Sequence, residues 1–190
     1  MYSDMCKILS EGKLGDFELN KFTIRPDNLM AHIQGIDPGT YVRLRHNGSC
    51  VMSNTDMEMR TNREFVDKAY GDVLIGGLGI GMVLLAIQDK ESVDSITVLE
   101  MHKDVIELVG SQLPLNNKVH IIEADAFTWT PNMRFDCIYM DIWNYINTDV
   151  YEEMKQLKRR YGHYLKSAAD SPNRFNMCWA EWEAKHGSRL

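Results

Sequence analysis

The chain has 190 residues, of which 44% are hydrophobic and 25% are charged, and this composition supports one folded domain with a small appendage and excludes wholesale disorder. The formal net charge of −6 argues against a basic nucleic-acid-binding face, and no apolar run approaches the length of a membrane span. No signal-peptide pattern opens the chain, the four cysteines are scattered, and the six histidines show no metal-ligand spacing. We therefore expect a soluble cytoplasmic protein with reduced thiols and without a metal site, a nucleic-acid partner or a membrane partner.

The first 60 residues have mostly β-strand signals and predict a small antiparallel sheet, which we treat as an N-terminal β-rich segment (1–60). Apolar and polar residues alternate in short runs bounded by turn residues. These runs are Phe17–Ile24, Leu29–Ile33, Tyr41–His46 and Ser49–Ser53. The last two runs flank Asn47-Gly48, a pair that suits a two-residue type I′ turn because both positions require positive φ.

From residue 61 onward the pattern alternates between helix and strand, which predicts a parallel sheet with helical crossovers. Thr61-Asn-Arg-Glu64 fits a capping box and predicts a helix that begins there and ends at Ala69. The buried strand Asp72–Ile75 is followed by a glycine-rich turn and the apolar helix Met82–Ile87. The remaining expected elements are strands at Ser95–Glu100, Lys118–Ile122 and Phe135–Met140 and helices at Lys103–Leu113 and Asp149–Tyr161.

The segment after residue 170 predicts one helix. Ser171 can cap it, Pro172 fits its first turn, and Gly187 can close it. Its apolar stripe consists of Phe175, Cys178, Trp179 and Trp182. Because no further strand is predicted after Met140, we expect a parallel sheet of only four or five strands.

The most informative stretch is the turn after the first strand of this sheet, in which Gly77, Gly79 and Gly81 alternate with larger residues. Glycines at such a turn let the backbone approach a ligand because no Cβ stands in the way. A dinucleotide fingerprint would require glycine where Met82 stands, so the pattern favours a smaller nucleoside-bearing ligand over NAD. The alternative is a tight turn without a ligand, since glycines are common in turns.

Acidic residues occur at the ends of the next three strands. Glu100 ends the second strand, Asp125 follows the third, and Asp141 ends the fourth. Ligands of open parallel sheets bind outside the carboxyl ends of the strands, where Glu100 can accept ribose hydroxyls and Asp125 can meet an adenine edge. A single acid at a strand end is more often a helix cap or a solvated residue, but three acids behind a glycine turn favour a nucleoside site.

These stretches resemble the class I S-adenosylmethionine (SAM)-dependent methyltransferases, and within them the spermidine synthase-like branch. The matching motifs are Val73–Gly81, Val98–Glu100, Glu123–Ala126 and Phe135–Asp141, in the family's order, within about residues 50–145. The resemblance implies an α/β chain with a Rossmann-like class I methyltransferase fold in residues 61–190, a shortened mostly parallel sheet, and SAM as the cofactor. It assigns Gly77, Gly79 and Gly81 to the methionyl part of SAM, Glu100 to the ribose, and Asp125 with Ala126 to the adenine. It also includes Met101 among the cofactor-binding residues.

The N-terminal segment is similar to the small sheet of polyamine aminopropyltransferases, and Met52–Glu58 loosely resembles their substrate-gate region. Those enzymes carry a second acid three residues after the acid of the fourth strand, where this chain has Asn144. An asparagine cannot act as a base, so Asp141 is our candidate catalytic residue. The Pro-Pro-aromatic pattern of nucleic-acid amino-methyltransferases is absent after Asp141, which argues against base methylation.

The residues around Asp141 leave the acceptor site open. Trp143 and Tyr145 are equally suited to stack on a substrate or to pack in the core. We expect Trp179 and Trp182 to be packing residues and His102 to be solvated. Later strands shape the acceptor pocket in the family, but the residues after Tyr145 read as helices. We therefore expect a more complete cofactor half than acceptor half.

The leading functional expectation is a SAM-dependent transferase, most simply a methyltransferase that acts on a small-molecule acceptor. Two alternatives stay open: a non-catalytic module that binds SAM or a related nucleoside, and an aminopropyltransferase like spermidine synthase, which Asn144 disfavours. The open edge of a short sheet also leads us to expect a homodimer.

Overall fold

The computed structural model describes residues 2–188 and contains two β-sheets with helices between and around them. The first sheet is antiparallel, with its four strands in the order β1-β2-β3-β4. Its elements in chain order are α1 (Met5–Ile8), β1 (Gly12–Leu14), β2 (Phe17–Ile24), α2 (Leu29–Ile33), β3 (Gly39–His46) and β4 (Ser49–Ser53). This arrangement confirms the predicted N-terminal antiparallel segment.

The hairpin between β3 and β4 forms as expected from its turn residues. Asn47 has φ 49° and Gly48 has φ 82°, the pair of positive values that a type I′ turn requires. The turn matches the twist of the flanking strands and therefore sets their register, which pairs His46 with Ser49. The hairpin brings β4 back toward the second sheet.

The prediction of a strand at Leu29–Ile33 is wrong, because this segment is the short helix α2. The side chain of Asn28 accepts a hydrogen bond from the amide of Ala31 and caps the helix. A five-residue apolar segment fits helical and strand spacing equally well, so the Asn28 cap decides the structure.

The helix expected from Thr61 begins earlier, and the capping-box interpretation of Thr61–Glu64 is wrong. The helix, α3, spans Asp56–Lys68 with Thr55 at its N-cap position. Thr61 lies inside α3, where its hydroxyl donates to the carbonyl of Glu58 and accepts from Trp179 Nε1. Because α3 runs continuously across position 60, no break in secondary structure marks the proposed division between 1–60 and 61–190, which stays a prediction.

The second sheet has five parallel strands in the order β7-β6-β5-β8-β9, within the expected four or five. Its strands are β5 (Gly71–Gly76), β6 (Val93–Glu100), β7 (Val119–Glu123), β8 (Cys137–Met140) and β9 (Phe175–Cys178), and its helices are α4 (Met82–Ile87), α5 (Lys103–Leu108), α6 (Thr148–Gly162) and α7 (Glu181–His186). The strand order reverses on the two sides of β5, and such a switch point opens a crevice at the carboxyl ends of the strands. The α/β Rossmann-like class predicted for this part is confirmed.

The single helix expected after residue 170 is wrong in its first half, where β9 forms instead. Cys137 of β8 pairs with Phe175, and Met140 pairs with Cys178. The amide of Trp179 then donates to the carbonyl of Met140. The spacing of apolar residues in this segment indicated a helix, but its backbone hydrogen bonds to β8 make it a strand. The later part is helical, and Gly187 closes α7 with φ 63°, as expected.

Alternate residues of β8 belong to two apolar cores on opposite sides of the parallel sheet. Cys137 and Tyr139 join a core that extends into the N-terminal sheet through residues such as Leu44, whereas Ile138 and Met140 join a core with α6. The shared core fixes the antiparallel sheet against the carboxyl edge of β5. None of the helices within residues 2–188 has the length and apolarity needed to cross a membrane.

Candidate active site at the carboxyl edge of the parallel sheet

A cavity of about 250 Å³ lies at the carboxyl edge of the parallel sheet. Its wall includes residues from the N-terminal sheet, from α3 and from the ends of β5, β6 and β8. Seven of the eight candidate site residues from the sequence line this one cavity: Gly77, Gly79, Glu100, Met101, Asp125, Ala126 and Asp141. The switch point beside β5 therefore gathers residues that are up to 64 positions apart in the chain.

The glycine turn reaches the cavity at two positions where a side chain would collide with the wall. Gly77 has φ 97°, and a Cβ there would strike the backbone carbonyl of Asp141. Gly79 has φ 52°, and a Cβ there would strike Met52 Sδ from β4. Both glycines are thus required by close approach as well as by their left-handed backbone conformation.

Gly81 is the candidate that the structure separates from the others. It lies at the N-cap of α4 with φ 76°, and a Cβ there would meet the side chain of Leu113. Its amide donates to the carbonyl of Leu78, which closes the turn. Gly81 therefore stabilises the conformation of the glycine turn and is not part of the cavity wall.

The Glu100 carboxylate is fixed by two backbone amides on different sides of the cavity. Oε2 accepts from the amide of Leu78, at 3.1 Å, and Oε1 accepts from the amide of His102, at 2.9 Å. The side chain is 8% exposed, and each oxygen keeps a second lone pair that can accept from a ligand hydroxyl. Met101, which follows it, is 59% exposed and lies at the rim.

The candidate acid Asp125 lies in the loop after β7, and hydrogen bonds fix this loop. Asp125 Oδ1 accepts from the amide of Phe127 at 2.8 Å, and the Tyr161 hydroxyl donates to the carbonyl of the neighbouring Ala126 at 2.7 Å. Ala126 is buried. These bonds fix the loop after β7, so that a carboxylate and a small apolar side chain lie next to each other in the cavity wall.

Asp141 follows β8, and its amide donates to the carbonyl of Gly76 at 2.8 Å. Within residues 2–188, its carboxylate has no hydrogen-bond partner and no ion pair. Burial, and secondarily the negative charge of Glu58, raise the pKa of the Asp141 carboxyl well above its ordinary value. Asp141 therefore faces the cavity as an acid without a protein counter-charge.

Glu58 is a cavity residue that the sequence interpretation missed. It lies in the first turn of α3, is 8% exposed and lines the same cavity as Asp141. Burial raises the pKa of Glu58 to about 7. The available signal was the spacing of Glu58, Asn62 and Phe65, which form one buried face of α3, but the later helix start assigned from Thr61 left Glu58 outside the helix.

Aromatic residues form two further parts of the wall. The ring of Phe17 stacks on His46 with centroids 4.3 Å apart and lies 4.8 Å from His102. His102, which we expected to be solvated, is therefore part of an aromatic cluster. Trp143 donates from Nε1 to Glu153 Oε2 at 2.7 Å, which connects the loop after β8 to α6. Phe17, His46, His102, Trp143 and Glu153 all line the cavity.

The wall has an unbalanced charge. Five carboxyl side chains line the cavity within residues 2–188, and no lysine or arginine does. The acids are Glu58, Glu100, Asp125, Asp141 and Glu153. Such a wall favours a ligand that offers hydroxyl donors or positive charge.

Comparisons with known proteins identify the fold. No family model matches the chain, and no curated protein matches its sequence. Spermidine synthase from Thermotoga maritima matches 83% of this chain and 52% of its own, with 17% identity and a TM-score of 0.52. The matches also include an amino pentose methyltransferase from Micromonospora echinaspora, with 17% identity, coverage of 56% of this chain and 42% of that one, and a TM-score of 0.41. An N-methyltransferase from Bradyrhizobium japonicum matches with 13% identity, coverage of 57% of this chain and 65% of that one, and a TM-score of 0.43.

The protein thus has a Rossmann-like class I methyltransferase fold. More specifically, its fold is similar to that of spermidine synthase, as the sequence resemblance implied. The elements from β5 onward make up less than two thirds of the chain, so a match over 83% includes residues that precede β5. The chain spans about half the length of that spermidine synthase structure.

Proposed function

We propose that the protein is a SAM-dependent transferase, most simply a methyltransferase that acts on a small-molecule acceptor. The observation that carries the proposal is one cavity in which the glycine turn, Glu100 and Asp125 lie together with the unpaired acid Asp141. The cavity has a volume of about 250 Å³ and is partly open to solvent. The net charge of −6 disfavours a nucleic-acid acceptor.

Each cofactor residue has a separate task in this proposal. Gly77 and Gly79 leave space for the methionyl part beside the turn, because a Cβ at either position would fill it or displace its neighbour. Glu100, already oriented by two amides, accepts the ribose hydroxyls, and Asp125 with Ala126 borders the adenine. SAM supplies a methyl group on a sulfonium, which transfers to an acceptor by in-line displacement.

Asp141 is the proposed acceptor-side residue. Methyl transfer requires alignment of the nucleophile with the methyl carbon and, for a protonated acceptor, removal of a proton. Asp141 has the necessary free carboxylate at the end of β8, beside Gly77. Asp141→Asn should therefore lower turnover while cofactor binding persists; unchanged turnover would remove this role.

Calorimetric titration with SAM and S-adenosylhomocysteine (SAH) tests the cofactor part of the proposal. We expect saturable binding by the intact protein and at least about tenfold weaker binding by Glu100→Ala, because a charge-assisted hydrogen bond contributes about 1.5–3 kcal/mol. Glu107→Gln is the matched control, since Glu107 lies on the exterior of α5 in an exposed pair with Lys103. Absence of binding by the intact protein would overturn the proposal.

Aminopropyl transfer is a second candidate, favoured by one observation: the likeness to spermidine synthase includes residues that precede the parallel sheet. Asn144, exposed and lining the cavity, argues against it because it cannot accept the proton of an amine. Incubation with putrescine and decarboxylated SAM, followed by mass spectrometry, distinguishes the two reactions. SAM binding without turnover on any acceptor would instead identify a non-catalytic binding module.

A further inference from the structure

Two carboxyl groups from distant parts of the chain, those of Glu58 and Asp141, line the same cavity. Asp141 is positioned by the ladder between β5 and β8, where its amide donates to Gly76. Glu58 comes from α3, which connects the N-terminal sheet to β5. Both side chains are part of the cavity wall, and the negative charge of Glu58 contributes to the raised pKa of the Asp141 carboxyl.

These two acids differ from the other acids of the wall in the number of hydrogen bonds that their carboxyl oxygens accept. Glu100 accepts from two amides, Asp125 from one, and Glu153 from an indole. Glu58, more than nine-tenths buried, has one weak contact, 3.4 Å from the amide of Ser53 to Oε1. Within residues 2–188, Glu58 Oε2 and both oxygens of Asp141 have no hydrogen bond, and neither side chain has an ion pair.

A largely buried carboxyl without a protein partner is costly unless water or a ligand in the cavity satisfies it. Structural acids avoid this cost by pairing with a cation, as Asp136 does with Lys166 at 2.7 Å on the opposite edge of the same sheet. Glu58 and Asp141 have no such cation and line a cavity. This arrangement suits a binding site in which a cationic ligand supplies the counter-charge.

We infer that Glu58 supplies a second carboxyl to the acceptor site, together with Asp141, and that the pair binds a protonated amine as the acceptor. The inference rests on the proposed transferase function and specifies its substrate class. An aliphatic ammonium group has the charge and the donors that both free carboxyls require.

The raised pKa values of Glu58 and Asp141 fit this role. Burial raises the pKa of both carboxyls, so the pair takes up a proton more readily than ordinary acids do, and a bound ammonium favours its ionised form. Its ionised carboxylate takes a proton from the ammonium nitrogen, and the freed lone pair forms a bond to the methyl carbon of SAM. The carbon–sulfur bond breaks with its electron pair on sulfur, which leaves SAH, an N-methylammonium product and a protonated carboxyl that later returns its proton to solvent.

One competing use of the pair is direct contact with the sulfonium of SAM. The two uses make opposite predictions about cofactor affinity. If the pair holds the sulfonium, Glu58→Gln weakens SAM binding and leaves binding of the uncharged thioether SAH unchanged. If the pair holds the acceptor amine, the variant binds SAM and SAH as the parent protein does and loses affinity for amines only.

The test uses calorimetry on the full chain saturated with SAH, with n-butylamine and putrescine as cationic probes and 1-butanol as the uncharged probe. We expect the amines to bind and 1-butanol not to bind. Glu58→Gln and Asp141→Asn should each weaken amine binding at least about tenfold, the effect of about 1.4 kcal/mol, with SAH affinity changed less than about twofold. Glu64→Gln is the matched control on the exposed side of α3, where Glu64 pairs with Lys68.

The outcomes separate this inference from the proposed function. Amine binding that survives Glu58→Gln, binding of 1-butanol as tight as that of n-butylamine, or no amine binding by a protein that binds SAH would each overturn the inference and leave the transferase proposal standing. Failure of the intact protein to bind SAH would defeat the proposed function first. Thermal unfolding of each variant confirms that it is folded, and Asp141→Asn on a different element gives an independent measurement.

Discussion

Met52 of β4 and Gly79 of the glycine turn are in direct contact at the boundary between the two sheets. The Met52 sulfur occupies the position that a Cβ of residue 79 would need, and Gly79 has φ 52°. Both residues line the cavity. The N-terminal sheet is therefore part of the cavity wall beside the glycine turn and contributes to the site itself.

Gly79→Ala should weaken SAH binding at least about tenfold. The left-handed conformation costs an L-residue about 1–2 kcal/mol, and the new methyl group would push Met52 into the cavity or move the turn. Titration calorimetry measures the change. The matched control is Gly162→Ala, in α6, where no atom lies within 4 Å of the added Cβ; an equal loss of affinity in this control would contradict the explanation.

The hydrogen bond between Tyr139 and Asn62 connects β8 to α3 inside the core. The Tyr139 hydroxyl donates to Asn62 Oδ1 at 2.7 Å, and both side chains are buried. Tyr139→Phe should lower the free energy of unfolding by about 1–2 kcal/mol, because a buried acceptor loses its partner. Urea denaturation checks the value, with the exposed Tyr145 as control: Tyr145→Phe should change stability by less than about 0.5 kcal/mol.

Most of the parallel sheet could be predicted from the sequence because its signals are local. The helix α4 begins and ends at the predicted residues, Met82 and Ile87, since an apolar run behind a glycine turn has one stable arrangement against a sheet. The strands β5 to β8 were found within two residues of their observed bounds. Their carboxyl ends meet at one edge by topology, which is why Glu100, Asp125 and Asp141 were recognised as one site.

The features that the sequence did not reveal depend on contacts between distant segments. β9 forms because β8 offers a partner ladder, and nothing within Phe175–Cys178 indicates this. Glu58 enters the cavity because the buried face of α3 packs against Tyr139 of β8, whereas an acid in a first helical turn is ordinarily solvated and favourable to the helix dipole. Such residues are recognised from tertiary burial and not from motif spacing.

Lys166 connects two acids at the amino edge of the parallel sheet, away from the cavity. Its ammonium lies 2.8 Å from Asp72 Oδ2 and 2.7 Å from the buried Asp136 Oδ2. Lys166→Met should lower the free energy of unfolding by about 2 kcal/mol, because it leaves a buried carboxylate without its cation. Chemical denaturation tests this against Lys155→Met, which breaks an exposed pair with Glu152 and should cost less than about 1 kcal/mol; equal losses would refute the difference.

The pH dependence of stability provides a test of the buried state of Glu58 without any ligand. Burial raises the pKa of Glu58 to about 7 from an ordinary value of 4.5. The folded state therefore retains the proton at pH values where the unfolded state has released it. The resulting stability is complete below about pH 4.5 and is lost as pH rises through about 7.

Glu58→Gln removes this dependence, so its effect should change with pH. We expect the variant to exceed the parent in free energy of unfolding by up to about 3 kcal/mol near pH 8, and the two to converge near pH 4. Asp141, which lines the same cavity as Glu58, contributes in the same direction through its own raised pKa. The other titratable groups of the cavity are shared by both proteins and cancel in the comparison: His46, Glu100, His102, Asp125 and Glu153.

Glu64→Gln is the control for this measurement, because Glu64 lies on the same helix in an exposed pair with Lys68. Its stability difference from the parent protein should stay below about 1 kcal/mol across the same pH range. Urea denaturation at several pH values gives both curves. A Glu58→Gln difference that does not vary with pH would show that Glu58 is ionised at its ordinary value in the folded protein, since only a changed pKa makes the free energy of unfolding depend on pH.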